Sequence, residues 1–240
     1  MIGDPLQRGN AAPIKTVIAR CLSTVLGEKR FTCLRYAKQR LFHQALGYDT
    51  KYYEAIRNSN RFCYPIFARA ILEEFPSTTL ADVGCGSGDI SLAFAGAGCV
   101  SVFACDYSED AITLARSRGL EHARRVDLTQ VPHLEAKADL CICLEVAEHI
   151  PERHAGHLCH LLSEVAPVLI FTAAPPGQGG NFHLNEQAQD YWIEKMRGVG
   201  LSHDPNAVKR IRQRFSGRMI RDYDDNLMVF RKRHSLASDR

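Results

Sequence analysis

What this chain of 240 residues lacks narrows its function before any motif is read. No apolar run approaches the roughly 18 residues that a membrane-spanning helix needs. The opening MIGDPLQRGNAAPIK has no basic start followed by an apolar core, so no secretory signal is read and a cytoplasmic location is expected. None of the nine cysteines stands in a Cys-x-x-Cys pair, which argues against zinc ribbons. Their odd number, in a chain without an export signal, implies reduced thiols, most of them packed as small hydrophobes. There is no internal repeat and no low-complexity block. The Gly-Lys-Ser/Thr of a phosphate loop is also missing.

What is present fits a globular chain. At 45% hydrophobic and 24% charged, it can bury one large core, or a core with an appended subdomain. The net charge of +3 is small but unevenly spread. Eight Lys or Arg against three acids fall in the first fifty residues, and ten against four from Lys209 to Arg240. Such ends are either solvated faces or docking surfaces for an anionic partner.

Periodicity divides the chain. From Lys15 to Phe75 apolar residues recur at three- and four-residue spacing in three helical stretches, the third bent or divided at Pro65. After Pro76 the short apolar runs TLADVGC, VSVFACD, ADLCICLE and VLIFTAA suit buried strands. Helices are expected between them, from near Ser87, Ser108 and Pro151. RIRQRFSGRMIRD reads as a helix and NLMVFRK as a last strand. The fold class expected is α/β, with helices on both faces of a mostly parallel sheet. Residues 1–75 form a helical extension or lid, 76–232 the ligand-binding domain, and 233–240 a basic tail.

In LADVGCGSGDIS, Gly84, Gly86 and Gly88 lie between the first strand and a helix, where glycine permits a sharp turn and close ligand approach. The dinucleotide fingerprint needs glycine at position 89, and this chain has Asp89. Asp106 ends the second strand and can accept hydrogen bonds from both hydroxyls of a ribose. Together they imply a nucleoside ligand at the carboxyl ends of the strands. The bland alternative is a tight turn, with Asp106 capping the helix near Ser108.

DVGCGSG, CDYS, VDL and LEVAEHI, in this order and spacing, resemble the class I S-adenosylmethionine-dependent methyltransferases over roughly residues 60 to 232. The resemblance implies a seven-stranded Rossmann-like sheet and S-adenosylmethionine as cofactor. It implies that Asp82, Gly84, Cys85, Gly86 and Gly88 form the wall beside the cofactor's methionine part. It further places Asp106 and Tyr107 at the ribose, Asp127 and Leu128 near the adenine, and Glu145 at the methionine end. His149 is expected to brace the loop beside the substrate. FTAAPPGQGG with His-x-Asn-Glu-Gln and a following YW resembles one subgroup of these enzymes. Asn181-Phe182 before His183, and Asp222-Tyr223-Asp224-Asp225-Asn226 later, depart from its usual pattern.

Methyl transfer needs an acceptor lone pair held in line behind the methyl carbon, and a hydroxyl acceptor also gains from a placed base. His183 titrates near neutrality when unperturbed and is the candidate base, with Glu186 as alternative base or ring-orienting partner. Asn185 and Gln187 are candidates for holding a polar substrate, or Asn185 caps the helix NEQAQDYWIEKM. Tyr52, Tyr53 and Arg57 are candidates for the lid over the substrate. His154, His157 and His160 recur at a spacing that drifts around a helix, and no metal-ligand set is read. Pro175-Pro176 does not follow the fourth strand, which disfavours amino methylation of DNA bases.

The expectation is a methyltransferase acting on a small polar acceptor, a hydroxyl of a sugar or secondary metabolite, with no membrane association. The competing readings are an RNA or protein methyltransferase docking through its basic ends, and a nucleoside-binding scaffold without activity.

Overall fold

The computed structural model describes residues 49–215 and 221–233. The first two of the three expected N-terminal helices lie outside these residues, as do Cys21, Cys33 and the basic tail 234–240. The third stretch is divided, as its proline requires. Helix α1 spans Thr50–Asn60, capped by the Asp49 carboxylate on the Tyr52 N–H, and α2 spans Tyr64–Glu74 with Pro65 in its first turn.

The rest alternates strand and helix: β1 Thr79–Val83, α3 Asp89–Gly96, β2 Ser101–Asp106, α4 Glu109–Ser117, β3 Arg124–Arg125 and β4 Leu140–Leu144. Two short 3₁₀ turns, Ala147–His149 and Glu152–His154, lead into α5 Ala155–Val165. Then follow β5 Val168–Thr172, α6 Gln189–Gly198, β6 Leu201–His203, α7 Pro205–Phe215, α8 Arg221–Asp225 and β7 Met228–Lys232. One seven-stranded sheet has the order β3-β2-β1-β4-β5-β7-β6. All pairs are parallel except those of β7, which lies antiparallel between β5 and β6.

Period-two alternation places the two cores. Along β4, Cys141 and Cys143 face the core formed with α5 and α6, while Leu140, Ile142 and Leu144 face the one formed with α2, α3 and α7. Both faces are covered, which is why LCICL is apolar throughout. Six of the seven cysteines described are buried, and all seven are free thiols. Burial pushes the thiols of Cys105 and Cys159 up to about 12, as suits residues kept for packing.

Two expectations need correction. Asn185 does not cap a helix: α6 starts four residues later, after Ala188, because backbone bonds to Glu148 and Ala174 hold residues 184–187 as an irregular connection. Asp106 does not cap α4; the Ser108 hydroxyl does, accepting from the Ala111 N–H. The helix expected across RIRQRFSGRMIRD is α7 and the short α8, with 216–220 outside the described residues.

Candidate functional site

At β1 the parallel sheet splits, with β2 on one side and β4 on the other. The carboxyl ends of these strands border a cavity of about 500 Å³, a size suited to a small-molecule ligand. Its wall on one side is the glycine loop. Gly84 has φ +87°, and a Cβ there would collide with both γ-methyls of Val146 in the loop after β4. Gly86 has φ +52° and donates its N–H to Asp106 Oδ2 at 2.9 Å, while Asp106 Oδ1 accepts from the Ser108 N–H at 2.8 Å. Both oxygens of Asp106 are thus fixed in place.

Asp82 lines the cavity floor at 4% exposure and accepts from Ser91 Oγ at 2.6 Å. Burial pushes its carboxyl up to about 7, with Asp106 adding repulsion and Ser91 opposing it. Asp127 accepts from the N–H and the hydroxyl of Thr129, and both residues face the cavity with Leu128 and Tyr107. Asp89, where a dinucleotide fingerprint would have glycine, has a different task. It pairs with Arg57 and Arg118 at 2.9 Å each, and Arg118 reaches Glu54 on α1 at 2.7 Å. These pairs tie α1 over the glycine loop, so that Tyr52 and Tyr53 line the cavity.

The opposite wall comes from the loops after β4 and β5. Glu145 has φ +54°, a left-handed backbone at the tip of β4. Its N–H is held by the hydroxyl of Thr172, and its carboxylate accepts from Gln178 Nε2 at 3.1 Å and Asn226 Nδ2 at 3.2 Å. Asn226 also donates to Gln178 Oε1 at 2.9 Å, closing a three-residue ring. The Glu148 carbonyl accepts the N–H groups of Leu184 and Asn185, clamping the two loops together.

That clamp brings His149 and His183 together, their ring centroids 5.0 Å apart. His183 Nδ1 lies 2.8 Å from Glu186 Oε1. Glu186 also accepts from the N–H groups of Gly177 and Gly179. Burial alone would raise its carboxyl, but those two N–H groups and the His183 ring hold it below the usual range. Glu148 is fully buried, and neither of its oxygens makes a hydrogen bond of good geometry. Burial, and after it the charge of Glu145, push its carboxyl well above the usual range.

Of the residues singled out in the sequence, Tyr53, Asp82, Gly84, Cys85, Gly86, Asp106, Tyr107, Asp127, Leu128, Glu145, His149 and His183 line this one cavity. Gly88 does not line it: it starts α3 at φ +79°, packed on Leu120 and Ala115. Arg57 and Glu186 act behind the lining through the contacts above. Asn185 is buried with its Oδ1 accepting from Gln187, and neither borders the cavity. His157 is held to the Val131 carbonyl and His160 lies near Glu164, away from the cavity. Glu148, Gln178 and Asn226 were not singled out. Each had stood only as part of a quoted stretch: Glu148 as a second acid within LEVAEHI, Gln178 within FTAAPPGQGG, and Asn226 at the end of residues 222–226.

The fold is thus a Rossmann-like α/β sheet with a ligand cavity at its carboxyl edge. Residues 81–169 match the family model described as a methyltransferase domain. No curated protein matches the chain. Among solved structures, DesVI of Streptomyces venezuelae aligns over 71% of this chain and 92% of its own, with 16% identity and a TM-score of 0.53. An amino pentose methyltransferase of calicheamicin biosynthesis from Micromonospora echinaspora, bound to S-adenosylmethionine, aligns over 69% and 88%, with 16% identity and a TM-score of 0.53. These two likenesses establish the fold. Magnesium protoporphyrin IX methyltransferase from Synechocystis, with bound S-adenosylhomocysteine, aligns over 52% of this chain and 64% of its own, with 25% identity and a TM-score of 0.45.

Proposed function

We propose that this protein is an S-adenosylmethionine-dependent methyltransferase acting on a small polar acceptor, a hydroxyl of a sugar or secondary metabolite. The observation that carries this reading is a single cavity with two differently equipped walls. A glycine loop and Asp106, within the segment that matches the methyltransferase domain, stand on one side, and His183, backed by Glu186, stands on the other.

The residues fit the cofactor. The left-handed turns at Gly84 and Gly86 keep the loop low, and the fixed Asp106 carboxylate suits a ribose diol. Tyr107 adjoins that carboxylate, Asp127 and Leu128 form the adenine end, and Asp82 and Glu145 suit the amino group of the methionine end. The cofactor supplies an electrophilic methyl on sulfur. The chain's own residues then have three tasks: to position the acceptor, to exclude water and to assist loss of its proton. Glu186 accepts the Nδ1 proton of His183, which leaves the lone pair on Nε2, and through that atom His183 activates the acceptor.

Docking of an RNA or protein through the basic C-terminal region is less well supported. On α7, Arg210 pairs with Glu74, Arg212 with Asp224, and Arg214 with Glu73 and Glu74, so much of that charge is used internally.

The test is calorimetric titration of the folded chain with S-adenosylhomocysteine, where absence of binding rejects the reading. His183→Ala is expected to keep that binding and lower methyl transfer by about 10²–10⁴-fold. Turnover close to wild type, with chemistry limiting the rate, would remove the role given to His183.

A further inference from the structure

The acceptor side of the cavity holds a donor set that proton transfer alone does not account for. Glu148 is fully buried, and neither carboxylate oxygen has a hydrogen bond of good geometry. A charged carboxylate there is costly, and a facing cation would offset that cost. It is joined by His149 from the next position and His183 from the loop after β5. Their potential ligand atoms lie within 4.8 Å of one another.

Both imidazoles are held from behind. His149 Nδ1 lies 3.3 Å from the Phe182 carbonyl and His183 Nδ1 lies 2.8 Å from Glu186 Oε1. A carbonyl and a carboxylate can only accept, so each ring turns an Nδ1–H toward its backing oxygen. This backing of imidazole by an oxygen acceptor is the arrangement that orients metal-ligating histidines. The backbone is shaped to the same end. Phe182 takes φ +61°, and Gly180 leaves room that a Cβ would deny, since it would overlap the His183 ring at Nε2 and Cε1.

We propose that Glu148, His149 and His183 bind a divalent transition-metal ion at the acceptor end of the cavity. Two imidazoles and one carboxylate suit manganese, iron, cobalt or zinc in the divalent state, and suit magnesium or calcium poorly. Ligands about 2.0–2.2 Å from a metal stand roughly 3–3.6 Å apart, so the loops close by little more than about an ångström on loading. Because all three residues line the cavity, positions on the ion stay open toward it.

The inference rests on the methyltransferase reading for its purpose and deepens it. An acceptor hydroxyl coordinated to the ion loses its proton to solvent more easily. Its oxygen lone pair forms the bond to the methyl carbon as the carbon–sulfur bond breaks, and that electron pair stays on sulfur. An ether and a neutral thioether result. His183 then acts on the acceptor through the ion instead of taking the proton itself.

The test is titration of the full chain, stripped with a chelator and dialysed, with cobalt(II) chloride, read by visible absorption and calorimetry. Saturation at one equivalent per chain is expected. Glu148→Gln, His183→Gln and Gly180→Ala should each weaken binding at least about tenfold, and Glu186→Gln, which removes only the backing, by about 10–100-fold. His160→Ala, on an exposed helix face, should change nothing. Each variant is also titrated with S-adenosylhomocysteine, which reports folding and the cofactor wall separately. Cobalt saturation without S-adenosylhomocysteine binding would keep the ion site and reject the methyltransferase reading. Binding of S-adenosylhomocysteine without saturable cobalt uptake overturns the ion site. Uptake indifferent to Glu148→Gln, Gly180→Ala and His183→Gln overturns it as well, as does equal affinity for magnesium.

Discussion

Replacing Asp82 by asparagine should make the protein more stable at alkaline pH, even though the change removes a charge from the floor of the cavity. The Asp82 carboxyl is pushed from 3.8 up to about 7, first by burial. Between those values the folded chain keeps a proton that the unfolded chain releases. The stabilisation linked to that proton is complete below about pH 3.8 and is lost as the pH rises to about 7. The loss runs at about 1.4 kcal/mol per pH unit and totals about 4 kcal/mol. The amide of the Asp82→Asn variant would have no such dependence, while the Ser91 hydroxyl could still donate to its oxygen. The difference in unfolding free energy, variant minus wild type, should therefore rise by about 3 kcal/mol from about pH 5 to about pH 8, then level off. Urea unfolding at four pH values measures it, and Glu148, present in both proteins, cancels in the subtraction. Parallel stability curves would refute the argument. A second arm rests on the proposed cofactor. Its ammonium beside Asp82 should expel the proton, so S-adenosylhomocysteine binding near pH 6.5 (approximate, by the same linkage) should release a proton to buffer in wild type and not in the variant.

Three further outcomes are expected. Gly84→Ala should cost about 1–3 kcal/mol in urea unfolding and weaken S-adenosylhomocysteine binding, because the new methyl meets Val146 at a backbone conformation that suits only glycine. Asp106→Ala orphans the N–H groups of Gly86 and Ser108, so it should cost about 1–2 kcal/mol and raise the calorimetric Kd for S-adenosylhomocysteine at least about tenfold. Arg118→Ala should cost about 1–2 kcal/mol and loosen α1, read as faster amide exchange at Tyr52 and Tyr53, since Glu54 then loses its partner while Asp89 keeps Arg57.

The sheet was legible because its strands are short apolar runs between helices, and burial on both faces leaves no other use for LCICL. What escaped is short or returns late. Arg124–Arg125 and Leu201–His203 have two and three residues, too few for alternation to register. The antiparallel course of β7 follows from where the chain returns, which local pattern does not encode. The wall with the glycine loop and Asp106 was legible because its residues cluster behind successive strands. The other wall was read only in part. His183 stood out as a titratable group in a loop, but its partners arrive from separate segments. Glu148 is an acid in a motif that already held Glu145, and no spacing links it to a histidine thirty-five positions on. Asn226 sits at the far end of the chain, and only the sheet order brings it to Glu145. Asn185 misled for a related reason: its type suits a helix cap, and tertiary contacts claimed it instead.

Glu148 does two separate things with its two chemical parts. Its carbonyl joins the loops after β4 and β5, and its carboxylate faces the cavity. Any residue can supply that carbonyl, so the scaffold here does not depend on the side chain. The position is one where selection, or a designer, could exchange the reactive group while the surrounding geometry is inherited unchanged, so acceptor chemistry could diverge within this architecture by a single codon.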